Sequence, residues 1–444
     1  MKIWLKALSL TLCVMLTVCL GLTVPVFAAE EYSVWDGSVE TDWLKDSEKT
    51  HIIDSAAKLA GLAKLTNDAA IGGSTGAYEG HTFYITVNID LNNKEWTPIG
   101  TNYGINFAGN LEGKLGGVEG AAPTIKNFSL TNTPGHGNTG FIGTLRGGSV
   151  KNLTFENASV SYIEGSSLGI VVGYMSKVVT AFENIKVINS TVKSTATRQD
   201  EGIGGVVGYA KVDKALNIKN VAFINGSVEG AIVETGGIIG YARVNVENEL
   251  ISFENCYVSG TVTGNAGNAG GIAGKLQVLN DSDVFAMKNV QAENLKVNAD
   301  NAGALFGQIT GGSVEVQNGL LINAGVSVAD AAAAVDTTDC YANYDDANFL
   351  TRTDAELTDI AAKDAMKGFD FDNVWMARAG KTPVLTLAKG ADDVEAGIVE
   401  TVEPGAADGV ADGVAAAPQT FDMGIVAAVS AIVAAAGYML TKKR

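Results

Sequence analysis

The residue types that most often perform catalysis are scattered along this sequence. The histidines His51, His81 and His136 lie in separate segments, so neither a histidine-based metal site nor an activated nucleophile is indicated. Acidic pairs at 345–346 and 370–372 lack the spacing of a calcium loop and are typical of solvated surface. The sequence therefore predicts no catalytic residue, metal site or cofactor, although catalytic residues contributed by different repeats would leave no linear motif.

Three tyrosines are better candidates for a functional site. Tyr174, Tyr209 and Tyr241 each follow the closing glycine of a repeated pattern, so they occupy one position in three consecutive repeats. A column of aromatic rings can bind carbohydrate or a protein partner. Ordinary aromatic packing between neighbouring repeats explains the same spacing, so both interpretations stay open.

The repeated pattern is a mostly small residue, two apolar residues and a closing glycine. It occurs at 140–143, 170–173, 205–208, 237–240, 271–274 and 304–307. Successive closing glycines are 30, 35, 32, 34 and 33 residues apart. A near-constant spacing of this length predicts a solenoid, in which each repeat contacts only its neighbours.

Two asparagines five residues apart mark a second position in each repeat. The first stands at 127, 152, 184, 220, 255, 289 and 318, and the second at 132, 157, 189, 225, 294 and 323, with Gly260 replacing it once. Between them the pattern is apolar, variable, apolar, which predicts a short strand with one buried face. The asparagines are expected at corners, or alternatively in ladders of side-chain amides, and we favour corners alone.

Stacked repeats place equivalent residues about 4.8 Å apart, the spacing of paired strands. The residues before the first asparagine then alternate in sign from Lys151 through Glu183, Lys219 and Glu254 to Lys288, so neighbours attract. Lysines separate the two glutamates, which disfavours a shared acid–base site.

The glycine pattern resembles the GLUG-motif repeat of bacterial surface proteins, as in Gly-Val-Val-Gly-Tyr-Ala at 205–210. The segments Trp-Asp-Gly at 35–37 and Glu-Trp-Thr-Pro-Ile-Gly at 95–100 are similar to the region that precedes the repeats in that family. The resemblance covers roughly residues 35 to 390. It implies an all-β fold, a right-handed parallel β-helix of the pectate-lyase type.

Short helices are expected to cap the solenoid at both ends. Residues 29–110 would form the N-terminal cap and lead-in region, with a helix from Asp54 or Ser55 to about Asn67 and a strand from His81 to Ile89. The repeats fill 111–334.

Residues 335–388 are predicted to form the C-terminal cap. A capping box at 353–356 would open a helix to about Lys367, and Trp375 with 382–385 would supply a closing strand. Residues 389–417 carry many acids and no aromatic residue, which predicts a disordered spacer.

The N-terminus has the parts of a secretory signal peptide. Lys2 and Lys6 precede an almost wholly apolar stretch at 7–24, and small residues lead to a signal-peptidase site between Ala28 and Ala29. Residues 1–28 are therefore expected to be removed on export.

The C-terminus combines an uncharged stretch at 423–440 with the basic tail Lys442-Lys443-Arg444, which predicts one transmembrane helix with its end inside the cell. The segment 418–444 resembles a sortase sorting signal of Gram-positive surface proteins. That resemblance implies cleavage after Thr420 by a sortase, although Ala417 and Phe421 replace the usual leucine and glycine. The motif residues are Pro418, Gln419, Thr420, Phe421 and Asp422.

The net charge of −18 argues against a nucleic-acid partner. Cys256 and Cys340 are the two cysteines beyond the signal peptide, and either a disulfide or buried free thiols would fit them. Taken together, the sequence predicts a non-enzymatic adhesin-like module on the outer face of a Gram-positive-type envelope, wall-anchored or single-pass, that binds carbohydrate or a host surface protein. The alternative is a β-helix polysaccharide lyase or glycoside hydrolase.

Overall fold

The computed structural model describes residues 31–396 apart from 46, 70–75, 132–136, 163–166, 196–200, 232–233, 247–248 and 330–333. A 21-stranded sheet and a six-stranded sheet, both parallel, enclose one core, and a short antiparallel pair lies near the C-terminus. Together they make a parallel β-solenoid of about eight turns. The predicted all-β parallel solenoid is confirmed.

The strands before the regular repeats are β1 (Tyr32–Val34), β2 (Thr50–Ile53), β3 (Thr82–Ile85), β4 (Asn88–Asp90), β5 (Asn110–Gly113), β6 (Thr124–Lys126) and β7 (Ser129–Leu130). The regular repeats contain β8 (Ile142–Arg146), β9 (Ser149–Glu156), β10 (Ser159–Tyr162), β11 (Leu168–Gly169), β12 (Val172–Lys177), β13 (Ala181–Ile188), β14 (Thr191–Ser194), β15 (Gly202–Gly204), β16 (Val207–Val212), β17 (Leu216–Gly230), β18 (Glu234–Gly236), β19 (Ile239–Val244), β20 (Ile251–Gly270), β21 (Ala273–Gln277), β22 (Val284–Gly303), β23 (Phe306–Thr310) and β24 (Ser313–Ile322). The last strands are β25 (Val335–Thr338), β26 (Tyr341–Ala342), β27 (Leu350–Thr351), β28 (Trp375–Met376) and β29 (Val384–Leu385). The helices are α1 (Ala56–Asp68) and α2 (Ala361–Ala365), with 3₁₀ turns at Leu115–Gly117 and Thr386–Ala388.

The core is built from equivalent residues of successive coils that pair in register. Phe155 pairs with Val187, Val187 with Phe223, and Phe223 with Val258. All four side chains are fully buried, as predicted for the position three residues after the first asparagine. Burial of each such side chain contributes about 1.5–3 kcal/mol.

Both asparagine positions are corners with left-handed backbone. From Asn152 to Asn318 the first-position residues have φ between 52° and 58°, and the described second-position asparagines from Asn157 to Asn323 have φ between 49° and 52°. Gly260, which replaces the second asparagine once, has φ 117°. Asparagine adopts this conformation more readily than most residues, so the predicted corners are confirmed.

The first-position asparagines also form what we call the asparagine ladder. Each Nδ2 donates to the Oδ1 of the preceding coil at 2.7–3.0 Å, through Asn152, Asn184, Asn220, Asn255, Asn289 and Asn318. The ladder starts on the carboxylate of Glu112, and at its other end the buried Oδ1 of Asn318 meets no hydrogen-bond donor in the described chain. The favoured prediction of corners alone was therefore incomplete, because the same residues do both.

Asn127 does not belong to this ladder, contrary to the prediction. Strand β6 pairs with the second half of β9, and the Asn127 amide N–H donates to the carbonyl of Glu156. Asn127 thus lies beside the second corner at Asn157, and its side chain donates to Asp90 at 2.9 Å. A local asparagine pattern cannot distinguish two corners with the same backbone conformation.

The landmark glycines are required by close approach of two backbone segments. A Cβ atom on Gly205, which opens its pattern, would lie 2.2 Å from the carbonyl oxygen of Gly237, and one on the closing Gly240 would lie 2.2 Å from the amide nitrogen of Ile203. Strands β15 and β18 therefore fold directly against the six-stranded sheet, which leaves no room for a larger residue.

Helix α1 confirms the predicted N-terminal cap. The Ser55 hydroxyl accepts from the Lys58 N–H, and the predicted apolar face of the helix is buried against the core. The predicted strand from His81 to Ile89 is instead two strands, β3 and β4, because the chain turns between them to follow the coil.

The C-terminal region departs further from prediction. Parallel pairing continues past 334 through β25, β26 and β27. The capping box forms, since Glu356 accepts from the Thr353 N–H at 2.8 Å, yet the helix is only α2. Asp359 breaks it with φ 57°, because this residue bonds instead to the backbone of Gly380 and Lys381. The predicted closing strand is present as the antiparallel pair β28 and β29.

Residues 352–396, which we call the flap, fold back over the outer surface of the large sheet. Apolar residues of the flap, among them Trp375 and Leu385, bury Ala222, Tyr257 and Leu320 of β17, β20 and β24. The side chain of Gln291 donates to Pro383 and accepts from Leu385, both at 2.9 Å. The flap therefore covers a flank of the solenoid as well as closing its end.

A buried ion cluster fastens the flap. Arg378 contacts Glu293 of β22 at 2.5 Å and Asp393 at 3.3 Å, and Lys381 contacts Asp393 at 2.7 Å. Burial alone would raise the pKa of Asp393, but hydrogen bonds from Lys381, Gly390 and Arg378 outweigh it and lower that pKa to about 2. Residues 389–396, predicted as the start of a disordered spacer, are thus part of the folded unit.

The predicted signal peptide at 1–28 and its cleavage site between Ala28 and Ala29 lie outside the described residues. Residues 397–444, which contain the predicted sorting motif at 418–422, also lie outside them. Within the described chain, no helix is long and apolar enough to cross a membrane, and the predicted helix at 423–440 falls outside it.

Substitutions at Asn220 are expected to separate the corner from the ladder. Asn220→Gly keeps left-handed freedom but removes the bonds to Asn184 and from Asn255, so the free energy of unfolding should fall by about 1–2 kcal/mol. Asn220→Ala should cost about 1 kcal/mol more, because alanine disfavours a positive φ. Urea denaturation of residues 31–396 measures both; a glycine variant as stable as wild type would show that the ladder contributes nothing.

Removal of Arg378 is expected to release the flap. Arg378→Met leaves Glu293 buried without a cation and Asp393 with Lys381 alone, so the free energy of unfolding should fall by about 3–5 kcal/mol. Lys381→Ala is the matched control, because Lys381 is half exposed and its loss should change stability by less than about 1 kcal/mol. Since the pKa of Asp393 is depressed, its contribution should persist above pH 4 and fade as pH drops toward about 2. Equal melting and equal protease resistance in both variants would contradict this role.

Candidate ligand-binding face

The predicted tyrosines lie on the outer surface of the six-stranded sheet of β8, β12, β16, β19, β21 and β23, which we call the tyrosine face. Tyr174 pairs with Tyr209, and Tyr209 with Tyr241, in exact strand register. Lys275 continues the column on β21. The fold therefore brings together the three tyrosines that the spacing predicted to stack.

The rings pack mainly on one another. Tyr209 and Tyr241 are stacked, with ring centroids 4.6 Å apart and an angle of 2° between planes, and they are 9 % and 6 % exposed. Tyr174 meets Tyr209 at 5.4 Å and 66°, and is the most accessible of the three. The pKa of Tyr174 is raised mainly because the ring is buried, and the neighbouring Tyr209 raises it further. Cross-coil packing thus uses most of the ring surface and leaves Tyr174 as the accessible ring.

A column of cations lies beside the tyrosines. On strands β8, β16 and β19 a cation lies two residues after the position that belongs to the tyrosine column; these cations are Arg146, Lys211 and Arg243. The Nζ atom of Lys275 lies 5.3 Å from the ring centroid of Tyr241. The Nε of Arg243 is buried and has no hydrogen-bond partner among the residues that the structure describes. These cations were not predicted, although Tyr-Ala-Lys-Val at 209–212 and Tyr-Ala-Arg-Val at 241–244 repeat a basic residue two positions after the tyrosine.

Polar residues of the large sheet border the tyrosine face. The Glu234 carboxylate accepts from Lys275 at 3.4 Å and from Asn268 at 2.6 Å, and Asn301 donates to Asn268 at 2.6 Å. The Glu234 carboxylate already accepts hydrogen bonds from a cation and an amide. The polar row of Glu234, Asn268 and Asn301 is therefore suited to orienting a ligand rather than to transferring protons.

The acids singled out from the sequence have structural roles. Glu183 pairs with Lys151 and Glu254 with Lys219, both at 3.1 Å, which confirms the predicted attraction along that column. Asp370 accepts hydrogen bonds from Asn373, which lower its pKa, and so closes a turn. Asp346 accepts from the N–H groups of Val328, Asn348 and Phe349.

Two histidines from separate segments of the sequence meet across neighbouring coils. His51 Nε2 lies 3.0 Å from His81 Nδ1, the rings are parallel, and Lys49 Nζ lies 2.8 Å from His81 Nε2. Coil register, which sequence separation hides, brings them together. His136 lies outside the described residues, and within them no group of three or more His, Cys, Asp or Glu is placed to hold a metal ion.

Cys256 and Cys340 are separate, buried free thiols. Burial raises the pKa of Cys256 to about 12 and that of Cys340 to about 11, so neither is poised as a nucleophile.

No protein-family model matches this chain, and no curated protein matches it. Among solved structures, the chain is similar to one described as a "putative immunoglobulin A1 protease" from Bacteroides ovatus, with 18 % identity and a TM-score of 0.51. The match covers 78 % of this chain and 94 % of that one. At this identity the similarity shows the fold alone.

Proposed function

We propose that the protein is a surface-anchored binding module without enzymatic activity, and that the tyrosine face holds its ligand. The observation that carries this proposal is an aromatic column that Lys275 continues, with Arg146, Lys211 and Arg243 beside it, on a chain of net charge −18. Solenoids offer long regular faces, and aromatic and cationic side chains favour carbohydrate or protein surfaces. We place the ligand over Tyr174 and Lys211, because both retain accessible surface.

We infer the cellular location from the two ends of the sequence. A signal peptide cleaved between Ala28 and Ala29 would export the chain, and a sortase, as a transient partner, would join Thr420 to the cell wall. Without that step the segment 423–440 would remain as a single membrane anchor. The module would then stand on the extracellular face of a Gram-positive-type envelope.

We also infer a right-handed solenoid of the GLUG-motif class. Crossovers between parallel strands of one sheet are right-handed in about 98 % of cases, and the six glycine steps all lead into strands of the six-stranded sheet.

Charge reversal on the tyrosine face is expected to abolish binding. Lys211→Glu combined with Arg243→Glu should reduce retention of the protein on its glycan or host-protein target at least tenfold, as should Tyr174→Ser. Lys296→Glu, on an exposed position of β22, is the matched control. A glycan array and a host surface-protein array provide the targets. Undiminished retention of the variants would exclude this face, and release of shortened glycan would instead favour the polysaccharide lyase or hydrolase.

The anchoring step has its own test. Thr420→Ala should abolish the wall-linked form, because the sortase would lose the threonine side chain that marks the peptide bond to be cleaved, while the protein remains extractable with detergent. Fractionation of cell walls and membranes, with Thr401→Ala as the control, measures this. A wall-linked fraction equal to that of wild type would contradict the sortase assignment.

A further inference from the structure

The flap leaves part of the large sheet uncovered, and a groove of about 510 Å³ opens there. One outward position of the large sheet is occupied in successive coils by Thr154, Lys186, Ala222, Tyr257 and Gln291. The flap buries the last three of these residues, and Thr154 and Lys186 form the open floor of the groove. Val374 and Leu387 of the flap line one side, and the loop at 120–122 lines the other. We call this the amide groove, for the side chains that dominate its lining.

The asparagine ladder is accessible only in this groove. Asn184, Asn220 and Asn255 line it, whereas Asn152 before them and Asn289 after them are buried. In the ladder each amide donates one of its two N–H groups and accepts one hydrogen bond, so a second N–H and a second lone pair remain. The groove thus offers paired donors and acceptors at the strand spacing of about 4.8 Å. Asn373 adds a further amide from the flap.

The charge of the groove is unlike that of the whole chain. None of its lining residues is acidic, although the protein has 49 acids against 31 cations. Its one charged lining residue is Lys186, which neither a hydrogen bond nor an ion pair joins to another residue of the described chain. Burial lowers the pKa of Lys186, and a bound anion would offset that loss of hydration.

We propose that the amide groove binds an oligosaccharide that carries carboxylate groups, a uronate glycan. Sugar hydroxyls both donate and accept, which matches the free N–H and carbonyl groups of Asn184, Asn220 and Asn255. The amide spacing is comparable with the length of one sugar unit in an extended chain. Lys186 pairs with a uronate carboxylate. An acidic peptide would pair with Lys186 in the same way, so polyglutamate serves as the competing ligand. The site lies on the other sheet from the tyrosine face and stands independently of it.

The test is calorimetric titration of the full chain, in mild detergent, with alginate, hyaluronan and galacturonan oligosaccharides, each beside its carboxyl-reduced form. At least one uronate should bind, and reduction of its carboxyl groups should weaken binding about tenfold or more. Lys186→Ala should have the same effect and Lys186→Arg a much smaller one. Lys296→Ala, at an exposed position of β22, should leave the affinity unchanged.

The proposal would be overturned if no uronate binds, if the reduced glycan binds as tightly as the acid, or if polyglutamate competes as well as the glycan. Equal affinity of Lys186→Ala and wild type would also overturn it. Thermal melting shows that the variants fold, and Thr386→Glu provides a second check, because an acid added to the lining should weaken uronate binding without removing a floor residue. Loss of binding in Tyr174→Ser but not in Lys186→Ala would assign the ligand to the tyrosine face instead.

Discussion

In a parallel solenoid the backbone hydrogen bonds run between coils, so a corner displaced by one residue would turn a buried face outward. The asparagine at the first corner prevents this displacement in two ways. Its left-handed backbone fixes where the strand bends, and its side-chain amide bonds to the same residue in the coil before it. Repeats that differ in length by several residues can therefore keep one register at this corner. The core columns, the charge column before the corner and the tyrosine column all depend on that register.

The second constraint is backbone contact at the glycine steps. Because β15 and β18 lie directly against the six-stranded sheet, the outward residues of that sheet stand beside the polar row of Glu234 and Asn268. Glycine at these positions is thus required by packing and not by backbone conformation. The aromatic rings of the tyrosine face stack because successive coils approach at one strand spacing.

The predictable parts of the fold are those in which the local structure at one position restricts which residue type can occupy it. A left-handed corner favours asparagine or glycine, and a close backbone contact requires glycine, so both appear as repeats in one sequence. Helix α1 was predictable for the same reason, from Ser55 and its apolar face. What escaped prediction depends on distant partners. Asn127 has the sequence pattern of the first corner but lies beside the second. His51 and His81 come together only because neighbouring coils pair in register. Arg378 contacts Glu293, which is 85 residues away in the sequence. The tyrosine column was visible, but the burial of its rings was not, because burial depends on neighbours outside the pattern.

The ion pairs also help to distinguish a binding module from an enzyme. A general acid or base must give up or take a proton during the reaction, and fixed ion pairs oppose that exchange. Glu183, Glu254 and Glu234 each contact a lysine. Glu293 is buried against Arg378, where loss of its charge would loosen the flap. These four carboxylates thus maintain the solenoid and its flap, whereas Asn184, Lys186 and Tyr174 keep accessible surface. Such groups hold a ligand by geometry and charge, and this is the physical reason for preferring a binding module.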